Sequence, residues 1–337
     1  MSVDTVPPRV EPPSGAPAPS RPGRRYGLYR LVLRQNRLLG WSGLALLALL
    51  AGWTVREHHT TSAAGRALAQ ASCPGGVNVN VHAATDACLN ALQRSSDATG
   101  SAQHLQLALL AVPLLIGVFV GAPLLGQEFE HGTHRLMWTQ SVSRHRWLTA
   151  KLAVPAAGVL LLGALLSVLG AWLCTGGRSA LMPWTWNRFD ALVYNTVGPV
   201  PVAAALLALA LGVLAGALLR RTVPAMAATA VVYAAVAAGL DWLRRYLQPV
   251  HTLVHFGGYN LPPDSWLLKD GVVMPDGRRL TYAQCGPPGC GSGHTTFEQY
   301  HTAAQFWPMQ WAETGLMLLV AAVAVAASYR LLRRDTL

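Results

Sequence analysis

Six apolar stretches, at about 38–55, 105–125, 152–175, 197–219, 223–240 and 311–329, constrain this chain more than any other feature. Each is close to the roughly 20 apolar residues that cross a bilayer as a helix. Hydrocarbon offers backbone polar groups no partners, so such stretches must close their hydrogen bonds internally and are predicted to be helical. The fourth and fifth are separated only by Arg220, Arg221 and Thr222, which predicts a tight helical hairpin. Composition agrees: 52% of residues are hydrophobic and 12% charged, against roughly a quarter charged in a soluble domain. An ordinary soluble globule and disorder of the whole chain are both excluded. The expected fold class is an all-α polytopic membrane protein with six transmembrane helices.

An even number of spans puts both termini on one side, and basic residues in short loops mark the cytoplasmic side. Segments 1–37, 127–151, 220–222 and 330–337 hold 16 Lys and Arg in 73 positions, whereas 56–104, 176–191 and 241–306 hold ten in 131. Both termini are therefore expected in the cytoplasm, with the chain multi-pass in the plasma membrane. The net charge of +11 does not point to nucleic acid, because the basic residues collect at the ends of apolar runs, where lipid headgroups lie. Residues 1–25 are polar and proline-rich, which predicts a disordered cytoplasmic tail and no cleavable signal peptide. The transmembrane domain is then 26–337.

The cysteines test this topology independently. Cys73 and Cys88 share the first outer loop (56–104), Cys285 and Cys290 share the third (241–306), and Cys174 lies in a span. Disulfides form outside the cytoplasm, and of three connectivities the two local ones, Cys73 to Cys88 and Cys285 to Cys290, are favoured by proximity. Zinc at Cys285-Gly-Pro-Pro-Gly-Cys290 is the weaker alternative, since no second ligand pair lies nearby. Residues 271–282 read as a short hairpin around Pro275-Asp276-Gly277. A small extracellular cap is expected, either as a lid or as a gate that handles substrate.

The middle of every stretch is uncharged, which argues against coupling to an ion gradient. Asp241 and Glu313 sit near the outer ends of the fifth and sixth stretches, where interfacial solvation is expected in preference to a substrate contact. Neither lysine lies in the Gly-Lys-Ser/Thr context that holds phosphates and magnesium, so this chain is not predicted to hydrolyse nucleotide. Gln127-Glu128-Phe129-Glu130-His131 has glutamine where an inverted zinc motif needs histidine, so no metal site and no catalytic residue is expected.

The most informative segment runs from Gly126 to Lys151. The second helix is predicted to continue past the bilayer through Glu128 and Glu130 and to break at Gly132. A short helix can follow, with Leu136, Met137 and Trp138 as an apolar ridge flanked by His134 and Arg135, suited to a groove on a partner. Ser143 can cap the third helix, with Arg144, Arg146 and Lys151 at headgroup level. An ordinary basic loop is the plain alternative.

Glu128, Gly132, Thr133, Ser143, Arg144 and Lys151 match a pattern found in many ABC-2 type permeases, which this chain resembles. The longer string Ala122-Pro123-Leu124-Leu125, His131 to Arg135, Trp138 to Ser141, Phe306-Trp307-Pro308 and Gln310 to Gly315 looks like a large actinobacterial branch. The resemblance implies a bacterial half-transporter, in which two six-helix subunits, identical or different, enclose an exit path above two ABC ATP-binding subunits. ATP and Mg would bind those partners, with no cofactor on this chain. Gly132 to Gln140 would be the coupling helix. The resemblance also implies an amphipathic helix on the membrane surface before the first span, which Tyr26 to Arg37 fits, with Arg30, Arg34 and Arg37 grouped on one face. The long disulfide-bearing loop after the first span departs from the family pattern. The Leu-, Ala- and Val-rich lining favours an apolar or amphipathic cargo. A membrane-anchored receptor that binds ligand through its cap is the alternative from another class; a membrane enzyme would need convergent polar groups that the sequence does not display.

Overall fold

The computed structural model describes residues 37–71, 73, 85–132, 144–178, 187–256, 261–262, 264–285 and 295–334. Long helices carry all six apolar stretches: α1 (Arg37–Gln70), α2 (Asp86–Ile116), α4 (Arg144–Arg178), α6 (Val200–Leu219), α7 (Thr222–Arg244) and α8 (Phe306–Arg334). A π-helical turn at Gly117–Gly121 and α3 (Ala122–Glu130) extend α2, and a short α5 (Ala191–Thr196) precedes α6. Among the described residues, five helical segments are long and apolar enough to cross a membrane: 86–130, 146–176, 200–219, 222–244 and 303–333. The stretch 38–55 lies within α1. The expected tail and most of the expected surface helix, including Arg30 and Arg34, lie outside the described residues; Arg37 opens α1.

Helix α6 is apolar around its whole circumference, which suits a helix enclosed on all sides. It packs against α2, α3, α4, α7 and α8. Its tightest crossing is with the π turn and α3. A Cβ on Gly117 would lie 2.7 Å from the Ala208 carbonyl, one on Gly121 2.7 Å from the Leu209 carbonyl, and one on Gly216 2.6 Å from the Ala122 carbonyl. Small residues let two backbones meet where apolar lipid gives helices little reason to associate. Pro113 interrupts the hydrogen-bond ladder one turn before the π turn. Gly121→Leu is expected to force these helices apart at a cost of about 1–3 kcal/mol, as overpacking typically does. Thermal unfolding in detergent should show the loss, and an unchanged midpoint would show that the crossing yields.

Two departures from expectation concern the loops. Much of 56–104 is helical: α1 runs on to Gln70 and α2 starts at Asp86. Cys73 and Cys88 join these extensions in a disulfide with a Cα separation of 5.4 Å, as the sequence predicts. Thr85 caps α2 by accepting the Cys88 N–H. Removing the bond as Cys73→Ser should lower stability by about 3 kcal/mol, the loop-entropy value for a closed loop of this size, as measured by the unfolding midpoint in detergent without reductant.

The described spans are helical, in keeping with an all-α polytopic membrane protein, while one loop adds strands. The segment between α7 and α8 contains a four-stranded antiparallel sheet of β1 (His251–Phe256), β2 (Trp266–Val273), β3 (Arg279–Thr281) and β4 (Thr295–His301), in the order β1-β4-β2-β3. The predicted hairpin is β2 and β3, with Gly271 opposite Thr281 and Val273 opposite Arg279. Its turn rests on Gly277 at φ +80° and on Asp276, which accepts hydrogen bonds from the Arg278 backbone and guanidinium. Those bonds hold the Asp276 carboxyl below its ordinary range. Cys285 is disulfide-bonded; Cys290, its expected partner, lies outside the described residues. Arg188 pairs with Asp264 at 2.6 Å, and Phe189 packs against Trp266 and Phe306, so the sheet is anchored to the segment before α5.

Candidate functional site

The polar side chains concentrate at the two ends of the bundle. At the end where α3 stops, Glu128 forms an ion pair with Lys151 of α4. The Lys151 ammonium also donates to the Leu124 carbonyl at 3.4 Å and lies 5.1 Å from the centre of the Trp147 ring. Two residues on, a single oxygen of Glu130 accepts both the Thr222 backbone N–H (2.9 Å) and its hydroxyl (2.7 Å). Thr222 opens α7, so this carboxylate serves a helix start, where unpaired N–H groups and the helix dipole favour negative charge.

The hairpin between α6 and α7 comes within reach because Arg220 adopts a left-handed conformation at φ 53°, and its guanidinium sits 5.7 Å from the centre of the Phe129 ring. Thr149 of α4 and Tyr329 of α8 add a hydroxyl contact at 2.8 Å. The end of α3 is thereby tied to α4 and α7, and α4 in turn to α8.

Immediately beyond this brace α3 ends. His131 donates its N–H to the Gln127 carbonyl at 3.0 Å, and Gly132 has φ +68°. This is the break the sequence predicts at Gly132, with glycine at the left-handed position that follows many helices. Residues 133–143 lie outside the described residues, among them Thr133, Arg135, Leu136, Met137 and Trp138. Arg144 begins α4. Among the described residues, no group of three or more His, Cys, Asp or Glu could hold a metal ion.

At the sheet end, the expectation of interfacial solvation fails for Glu313. Its side chain is 1% exposed and receives Arg244 through Nε (2.8 Å) and Nη2 (3.0 Å). Arg244 is equally buried. It also bonds Asn195 at 2.9 Å, pairs with Asp241 at 3.0 Å, and stacks 3.7 Å from the centre of the Tyr194 ring. Asp241 is exposed, in keeping with expectation, yet it belongs to the same cluster. Burial, reinforced by the Glu313 carboxylate, pushes the Tyr194 phenol well above its ordinary value, so it remains neutral.

Gln310 donates to the Tyr194 carbonyl at 2.9 Å, and Ser167 to the Gly198 carbonyl at 2.6 Å. The cluster therefore joins α5, α7 and α8, and Ser167 ties α4 to the turn after α5. Arg244 was not singled out from the sequence, because it adjoins Arg245 where headgroup-level basic residues are ordinary. The available signal was Glu313, an acid inside an apolar stretch that calls for a buried partner.

Neither the curated proteins nor the solved structures contain a match to this chain. A family model described as ABC-2 membrane transporter related matches residues 44–244, more than half of the 337. That match takes in α2 to α7 and both braces at the end of α3. With five helical segments able to cross a membrane, the chain is a multi-pass membrane protein that belongs to the ABC-2 membrane transporter related family.

Proposed function

We propose that this chain is the permease subunit of an ATP-driven exporter in a bacterial plasma membrane. Both termini and the Gly132 elbow face the cytoplasm, and α1 supplies the sixth span. Two such subunits, identical or different, form the path, and two ATP-binding subunits carry ATP and Mg. The observation that supports this reading best is the bracing of α3 by Glu128–Lys151 and Glu130–Thr222 just before the left-handed Gly132. A push on the segment after Gly132 would reach α4 and α7 through these contacts, as a two-state coupling between motor and path requires.

Leu136, Met137 and Trp138 would fill a cleft on the ATP-binding subunit, with Thr133, Arg135 and Arg144 at its rim. The apolar walls suit an apolar or amphipathic cargo. The test is reconstitution with an ABC ATP-binding subunit. Cargo-stimulated ATP hydrolysis and vectorial transport of a lipid or hydrophobic antibiotic are expected. Ligand binding by the cap that persists without any ATPase, together with no transport, would instead favour a receptor. Within this scheme Lys151→Met removes the Glu128–Lys151 ion pair that ties α3 to α4 and is expected to lower coupled transport several-fold, while Lys151→Arg retains it.

A further inference from the structure

The sheet between α7 and α8 segregates its charge by face. Strand register puts Val254 and Phe256 of β1, Phe297 and Gln299 of β4, Lys269 of β2 and Arg279 of β3 on one face. Both strand acids, Asp270 and Glu298, belong to the other face, and among the described strand residues the first face carries none. On edge strand β1, Phe256 is 77% exposed and Val254 48%. Lys269 and Arg279 are exposed as well, with the Arg279 guanidinium 5.7 Å from the centre of the Phe297 ring. Apolar side chains and cations are thus offered together, with no acid between them.

The same face meets the helices at its near end. Trp266 and His301 lie opposite each other on it; Trp266 stacks on Phe189, and His301 Nε2 lies 3.2 Å from the Arg245 carbonyl at the end of α7. Gln305 donates to the Pro249 carbonyl at 2.8 Å, so the start of β1 is held beside the start of α8. Around these helix ends Trp242, Tyr246, Trp307 and Trp311 are all exposed, as aromatic residues are where helices leave the hydrocarbon. The sheet face therefore continues from the lipid-facing surface of α7 and α8, at headgroup level, along β1 to an uncovered phenylalanine.

We propose that this face of the sheet rests on the lipid surface, with Val254 and Phe256 in the interfacial layer and Lys269 and Arg279 against anionic headgroup phosphates. Burial of apolar side chains and attraction of cations to anionic lipid act together at such surfaces. A second copy of the chain fits the face less well, because a symmetric pairing would oppose these cations with no acid to meet them. The sheet is then held from two sides, by Arg188–Asp264 and Trp266 on the protein and by the bilayer along β1. Membrane insertion is all this requires, and it stands whether or not an ATPase drives the chain.

The test uses the full chain in lipid nanodiscs of phosphatidylcholine, with or without phosphatidylglycerol. A fluorescent amino acid replaces Phe256 or, at the exposed hairpin turn, Pro275. Quenching by phospholipid that carries a doxyl group near its headgroup is compared with quenching by acrylamide in the water. At 256, several-fold stronger doxyl quenching than at 275 is expected, together with weaker acrylamide quenching and a loss of doxyl quenching when phosphatidylglycerol is left out. Lys269→Gln with Arg279→Gln should remove that dependence on phosphatidylglycerol. Should the double variant fail to fold, Lys269→Glu alone, at an exposed position, gives the same reading. Position 256 open to acrylamide and untouched by doxyl lipid overturns the proposal. Protection from both quenchers overturns it too, since protein would then cover the face.

Discussion

Arg244→Ala is expected to destabilise the protein by about 3–5 kcal/mol, the range for removing one partner of a buried ion pair. The substitution would strand the Glu313 carboxylate, which is 1% exposed and receives two guanidinium bonds. It would also leave Asn195 and the face of Tyr194 without their partner. The double variant Arg244→Met with Glu313→Leu should recover most of the loss, since filling such a site with apolar groups is often close to neutral. Unfolding midpoints in detergent for the two single variants and the double variant separate the pair's interaction from lost packing. A single variant that unfolds with the wild type would mean that water reaches this cluster.

Gly132→Val is expected to abolish coupled transport, by tenfold or more, while leaving membrane insertion and the unfolding midpoint near wild type. At φ +68° a β-branched residue meets its own carbonyl, at a cost of about 1–2 kcal/mol that the chain can escape by turning elsewhere. The segment after α3 would then leave in a different direction, with the braces at Glu128 and Glu130 intact. Gly132→Asn tolerates the left-handed region and should retain most activity. Normal transport by the valine variant would discredit the elbow.

The apolar stretches were legible because lipid demands long uncharged helices, and the break at Gly132 because glycine is the ordinary residue there. The Asp276-Gly277 turn and the Cys73–Cys88 bond were legible from local chemistry. The helical extensions of α1 and α2 were not, since beyond Val55 helicity no longer shows as apolarity. There it rests on side-chain packing, as where His58 stacks on Trp172 with ring centres 4.0 Å apart. Strands β1 and β4 were missed for a related reason: β1 buries none of its residues and β4 buries Glu298 and His301 beside Phe297, so no clean apolar alternation marks them. At the candidate site the sequence identified Glu128 and Glu130 but not Thr222, because a partner 92 residues away leaves no local trace.

On the proposed function, the segment following Gly132 is the handle on which a separate ATPase acts. A photo-crosslinking amino acid placed at Trp138 in the full chain, expressed with the proposed ATP-binding subunit in native membranes, probes that contact. A crosslink to that subunit is expected, strengthened when ATP is bound. Labelling of position 138 from the same membrane face as the sheet, or crosslinks to lipid alone, would contradict it.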